Sequence, residues 1–162
     1  EPFIPKQGAR IMSLQDPDFK MSKSDENPNC YISLLDNPSV ILKKFKRAVT
    51  DSETEIKYDE SKKGLYNLIN IYCAYTDKRP EDIENMYIGK MYSDFKADLA
   101  EIVIESLKPI QSEYTKLISD KGYLDQLLSE GADKASYLAN KTLSKVYRKI
   151  GLIKKWYKKI TI

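Results

Sequence analysis

Apolar residues recur with a helical period over most of this chain and with a different texture over its first 25 residues. Between Lys63 and Thr76, Leu65, Leu68, Ile69 and Tyr72 fall at offsets of three, four and seven, forming one stripe of a helix whose outer face reads as polar. From Tyr92 to about Ser119 the series Phe95, Leu99, Ile102, Val103, Ile110, Tyr114 and Leu117 keeps that period. Pro109 interrupts the series by removing a hydrogen bond and crowding the carbonyl four residues earlier, so a kink is expected between Glu105 and Pro109. A last helix is predicted over Ala132 to Ile150, where Ala135, Leu138, Ala139, Thr142, Leu143, Val146, Tyr147 and Ile150 make a wide, mostly small or aliphatic stripe of the kind found in tight helix packing. Shorter helices are expected over Ser39 to Val49, after the capping sequence Asp36-Asn37-Pro38, and from Pro80 onward. Gly122, Gly131 and Gly151 read as helix punctuation.

The first 25 residues hold three of the seven prolines. Ile11 to Leu14 is short enough for a strand, Gly8 admits backbone conformations closed to other residues, and Asp16-Pro17-Asp18 is turn chemistry. A lone strand cannot make a sheet, and the chain offers few candidate partners. The expected fold class is therefore mainly α: a helical bundle over residues 26–162, preceded over residues 1–25 by a strand and loop whose sheet lies in a portion preceding Glu1.

With 162 residues the chain can bury a sizeable core. No run approaches the roughly 20 apolar residues that cross a bilayer, and the first six residues lack a secretory build, so a soluble cytoplasmic protein is expected. Cys30 and Cys73 lie 43 positions apart with no C-x-x-C, and there is no histidine, which leaves no zinc site and no Ser-His-Asp or Cys-His nucleophile. Chemistry must rest on Lys, Arg, carboxylates, hydroxyls and backbone groups. Net charge is only +3, but Lys141 to Ile162 carries eight basic residues and no acidic one. An anionic partner and a solvated helix face both fit that run, as they do the cluster Lys43, Lys44, Lys46 and Arg47. The 12 tyrosines could stack on nucleic-acid bases, but Tyr72, Tyr114 and Tyr147 sit in apolar stripes and read as core first.

Lys20-Met21-Ser22-Lys23-Ser24 follows the turn and precedes Asp25-Glu26-Asn27-Pro28-Asn29, which puts it on a loop between strand and helices. Two lysines three positions apart, with small hydroxyl residues between them, can set two ammonium groups and several N–H donors around a polyphosphate. On its own the pentapeptide also fits a solvated basic loop. It matches, at all five positions, the KMSKS signature of class I aminoacyl-tRNA synthetases, and it follows Gly8 to Leu14, where that family has its last Rossmann strand. The run from Ser24 to Ser52, together with Lys108-Pro109-Ile110-Gln111 and Gly131-Ala132-Asp133-Lys134-Ala135, resembles the tryptophanyl-tRNA synthetases in particular. The resemblance covers about residues 6–151.

That resemblance implies ATP binding by Lys20, Met21, Ser22, Lys23 and Ser24, with Lys20 and Lys23 assisting the loss of pyrophosphate as tryptophanyl adenylate forms. It places Ile11 against the adenine, although a strand isoleucine also fits plain core packing. It implies ATP as cofactor with Mg2+ as its counter-ion and no metal site on the protein, tRNA held by the helical region through residues it does not specify, and a homodimer for the full-length protein. The HIGH-type signature and the tryptophan pocket belong to the portion before Glu1, so this polypeptide alone is expected to form no aminoacyl adenylate. A tyrosyl-tRNA synthetase fragment and a non-catalytic helical RNA-binding module are the alternatives.

Overall fold

The computed structural model describes residues 8–152. Among them a short 3-10 helix, Pro28–Cys30, precedes five α-helices: α1 (Pro38–Arg47), α2 (Lys63–Thr76), α3 (Pro80–Met86), α4 (Tyr92–Ser119) and α5 (Lys121–Ile150). The chain divides into two compact units, Glu1–Glu113 and Tyr114–Ile162. The tail beyond Leu152, including the basic residues Lys154, Lys155, Lys158 and Lys159, lies outside the described residues.

In the first unit the helices form where the side chains demand it. Pro38 opens α1 with its φ already set for a helix and no N–H to leave orphaned, and Lys44, Lys46 and Arg47 close it against the negative end of the dipole. Asp77 ends α2 in a left-handed turn with φ of 54°. In α3 the Asp82 carboxylate accepts from the backbone N–H of Arg79, 3.3 Å away, just ahead of Pro80. The core joins Ile41 and Phe45 of α1, Leu65, Leu68, Ile69 and Tyr72 of α2, Ile83 of α3 and Phe95, Leu99 and Val103 of α4. Each such side chain contributes about 1.5–3 kcal/mol of apolar burial. Tyr72, Tyr87 and Phe95 pack with ring centroids 5.1–6.1 Å apart, and the Tyr87 hydroxyl donates to Asp98 at 2.8 Å. Burial and the hydrogen bonds with Tyr72 and Asp98 push the Tyr87 hydroxyl far above the usual tyrosine range.

Several expectations need correction. First, Ile11 to Leu14 makes no strand: Met12 and Lys20 form a single isolated antiparallel bridge. No strand flanks the segment among the described residues, so no ladder can extend. Second, the outer face of α2 is not uniformly polar: Ile71 and Ala74 lie on it, and Asn67 and Ile71 are buried there while Lys63 and Ala74 are exposed. Third, Gly131 does not start a new helix. Strong helix formers on both sides (Leu127, Leu128, Ala132, Lys134, Ala135) outweigh about 1 kcal/mol of glycine cost, and α5 runs through it from Lys121. The wide stripe on α5 is also unburied, with no buried residue in that helix, because periodicity marks which face can be covered and not whether something covers it. Tyr72 is core as expected, whereas Tyr114 is exposed and Tyr147 half-buried. α4 continues through Pro109, and its last buried residue is Leu107.

The segment 48–51 is fastened to this core from several sides. The Lys96 ammonium, buried on α4, donates to the Ala48 carbonyl and the Thr50 hydroxyl, each at 2.9 Å. Burial pushes the Lys96 pKa down, which nearby Asp51 partly offsets. Asp51 accepts from the Tyr92 hydroxyl at 2.8 Å and from the Glu53 N–H at 2.9 Å. Burial raises the Asp51 pKa, but those hydrogen bonds outweigh it and leave the carboxyl below its ordinary value. Gly64 lets α2 approach closest: a Cβ there would sit 2.1 Å from the Val49 carbonyl oxygen. The substitution Gly64→Ala should therefore force the two backbones apart and destabilise the chain by about 1–3 kcal/mol in urea unfolding. An unchanged midpoint would show that this approach is not tight.

Candidate functional site

Residues 11–14 pair most of their backbone groups without a sheet. The side-chain amide of Asn67 accepts from the Met12 N–H and donates to the Met12 carbonyl, both at 2.8 Å. Ser13 N–H donates to the Phe19 carbonyl at 2.8 Å and Met21 N–H to the Ile11 carbonyl at 3.0 Å. Leu14 N–H donates to the Cys30 carbonyl at 3.0 Å, and the Leu14 carbonyl accepts from Val49 N–H at 2.8 Å. Asn67 is only 3% exposed, and leaving its polar atoms or those of Met12 unpaired would cost about 1–3 kcal/mol for each group. The turn between the paired segments is closed by Phe19 N–H on the Asp16 carbonyl at 3.1 Å and Asp18 N–H on the Asp16 carboxylate at 3.2 Å.

The five signature residues leave this base in order. Lys20 stands in the bridge with Met12 and its side chain is exposed. Met21 turns inward and, with Ile11, lines an apolar cavity of about 180 Å³ whose walls include Ile71, Ala74 and Tyr75 of α2 and Val103 of α4. Ser22, Lys23 and Ser24 are exposed in a tight turn, with Ser24 N–H donating to Ser22 Oγ and Asp25 N–H to the Ser22 carbonyl, both at 3.2 Å. Asp25 and Asn27 side chains continue the chain of short turns, accepting from Asn27 N–H at 2.9 Å and Asn29 N–H at 3.0 Å. Neither Lys20 nor Lys23 makes an ion pair among the described residues. Ile11 and Met21 thus share one apolar wall, and the two exposed lysines of the same loop enter no ion pair among the described residues.

The other lysines differ. Lys44, 5% exposed, pairs with Asp36 at 2.6 Å, donates to the Tyr31 carbonyl at 2.9 Å and lies 5.0 Å from the centre of the Tyr31 ring. It is a structural cation that joins α1 to the segment leading out of the loop, while Lys43, Lys46 and Arg47 of the same cluster are exposed. Lys63 of α2 pairs with Asp18 in the turn, and that hydrogen bond raises its pKa. Both partners are exposed, so the pair adds little stability. On α5, Lys145, Arg148 and Lys149 line a shallow basic recess. A larger cleft of about 580 Å³ is lined by Glu55, Lys57, Glu84 and Lys90, whose charges cancel, and by none of the signature residues.

Sequence reading missed Asn67, Lys63 and Lys96. Asn67 carried a signal all the same, as a polar residue set in the apolar run Leu65 to Ala74.

Residues 1–108, which include this loop and the helices that anchor it, match the family described as tRNA synthetases class I (W and Y), and the chain belongs to that family. Its curated relatives are narrower in name. Tryptophan–tRNA ligases of Clostridium perfringens and Bacillus anthracis are 50% and 52% identical over 153 residues, 94% of this chain and 46% of each relative. The chain thus spans about half the length of the curated relatives it matches. Solved tryptophanyl-tRNA synthetases agree in fold: that of Mycoplasma pneumoniae, at 30% identity, superposes with a TM-score of 0.72 over 92% of this chain and 45% of its own. That of Campylobacter jejuni, solved with ADP and tryptophan, does so at 27% identity and 0.73 over 91% of this chain and 45% of its own.

The contrast among the lysines of α1 can be measured. Lys44→Ala should cost about 3 kcal/mol, because it leaves Asp36 and the Tyr31 carbonyl without their buried partner. Lys43→Ala and Lys46→Ala should stay within about 0.5 kcal/mol. Equal effects at all three positions in urea unfolding would contradict the structural role given to Lys44.

Proposed function

We propose that the chain serves as the KMSKS-bearing part of a tryptophan–tRNA ligase. Residues 1–25 close its catalytic domain and residues 26–162 form its tRNA-binding region. In this reading a carboxylate oxygen of tryptophan attacks the α-phosphorus of ATP and forms a new P–O bond. The bond from that phosphorus to the bridging oxygen breaks, and its electron pair leaves on pyrophosphate. Lys20 and Lys23 oppose the charge gathering on the leaving group, and Ser22, Ser24 and the turn's backbone offer hydrogen bonds to phosphate oxygens. Ile11 and Met21 supply the apolar wall beside the adenine. Mg2+ accompanies the ATP as its counter-ion, on no protein metal site. A hydroxyl at the end of tRNA then attacks the adenylate carbonyl carbon and releases AMP.

The observation that carries this reading is the pair of exposed cations on a loop fixed at its base: Lys20 and Lys23 are uncommitted where Lys44 and Lys96 are buried in structural bonds. Cations not engaged by the resting protein can bind more tightly in the transition state than in the ground state, which is what accelerates a step. On α5, exposed Lys141, Lys145, Arg148 and Lys149 recur at offsets of four, seven and eight, one helical face suited to the phosphates of tRNA.

In the complete protein, Lys20→Ala or Lys23→Ala should each lower tryptophan-dependent ATP–pyrophosphate exchange by about 100-fold, with tRNA binding retained. The 162-residue chain alone should show no exchange. Exchange that survives either substitution, or that depends on tyrosine in place of tryptophan, would overturn the reading.

A further inference from the structure

We propose that Asn67 is a positioning residue for Lys20, and that one face of α2 is the platform on which the loop is set; this rests on the function proposed above. Three observations converge on that face. Lys63 pairs with Asp18 at the turn. One helical turn on, Asn67 takes both backbone groups of Met12. One further turn on, Ile71, followed by Ala74 and Tyr75, walls the cavity that holds Ile11 and Met21. Positions 63, 67, 71 and 74–75 lie along one side of a helix, so a single rigid element meets the loop segment at three successive heights.

Of these contacts the one at Asn67 governs Lys20. Met12 is the residue bridged to Lys20, and the bonds on either side, Ser13 to Phe19 and Met21 to Ile11, tie the two segments together. A displacement of Met12 therefore passes to the Lys20 backbone without a flexible joint between them. Asn is suited to the place because one side-chain amide offers an acceptor and a donor side by side, as a neighbouring strand's backbone would. It acts where a sheet neighbour would act, but from a helix. An aliphatic group of similar size can satisfy neither group. Asn67 does not touch the reacting atoms; its effect goes through Lys20.

The test is a double-mutant cycle in the complete protein, read as kcat and KM of tryptophan-dependent ATP–pyrophosphate exchange. Asn67→Ala should lower kcat by about 10–100-fold while the KM for tryptophan changes little, since misplacement by about 1 Å suffices for such a loss. Asn67→Asp keeps the volume but sets a carboxylate oxygen against the Met12 carbonyl, and should lose kcat to a similar degree; it decides the matter if the alanine variant does not fold. In a Lys20→Ala background either substitution should cost less than about threefold more, because the group being positioned is gone. Wild-type kcat in Asn67→Asp, or losses that multiply with that of Lys20→Ala, would overturn the positioning role alone. A silent Lys20→Ala would overturn the proposed function itself, and this inference with it.

Discussion

The paired hydrogen bonds between the Asn67 side chain and the Met12 backbone settle a problem that the rest of the first unit is built around. An extended segment brings a donor and an acceptor at every residue, and buried backbone groups left unpaired are too costly to tolerate. Residues 11–14 have no flanking strand among the described residues, yet Ser13 and Leu14 are almost fully buried. Their bonded groups draw on four sources: a helix side chain, the returning limb of the loop, the 3-10 turn at Cys30 and the segment at Val49. Once those partners are fixed, so are the close approach of Gly64 to Val49 and the bonds from Lys96 that hold the 48–50 segment in reach.

This arrangement divides the lysines into two kinds. Lys44 and Lys96 lie inside, where a desolvated ammonium is held by carbonyls, a hydroxyl or a carboxylate and serves to join segments. Lys20 and Lys23 stand outside, on a loop stiff at its root and turned tightly at its tip. For a group proposed to meet charge that exists only as a bond breaks, that is the useful combination: the backbone is placed in advance and the ammonium is not already spent on an internal partner.

Much of the helical architecture was legible. Lys63 and Thr76 bound α2 as periodicity indicated, Tyr92 and Ser119 bound α4, and Pro38 and Pro80 open α1 and α3. These boundaries are written in local chemistry, namely apolar spacing and the preference of proline for a first turn. What could not be read depends on the third dimension. Asn67 looks like a polar interruption until Met12, 55 positions away, is seen against it. Lys44 and Lys43 are alike in sequence and differ only in what lies over them. The stripe of α5 shows the same limit from the other side, since an amphipathic pattern records a face and not its cover. The loop was recognisable because its five residues are contiguous; its anchoring was not, because the anchors are scattered over α2, the Cys30 turn and Val49.

Amide hydrogen exchange of the chain in solution tests the root of this account most directly. With the segment held as described, the amides of Met12, Ser13, Leu14 and Met21 should be protected to the same order as those of the buried turns of α2, while the Lys23 amide at the loop tip exchanges near the rate of an open peptide. Exchange of Met12 as fast as Lys23 would mean that Asn67 does not hold the segment, and the preset position claimed for the loop would be lost.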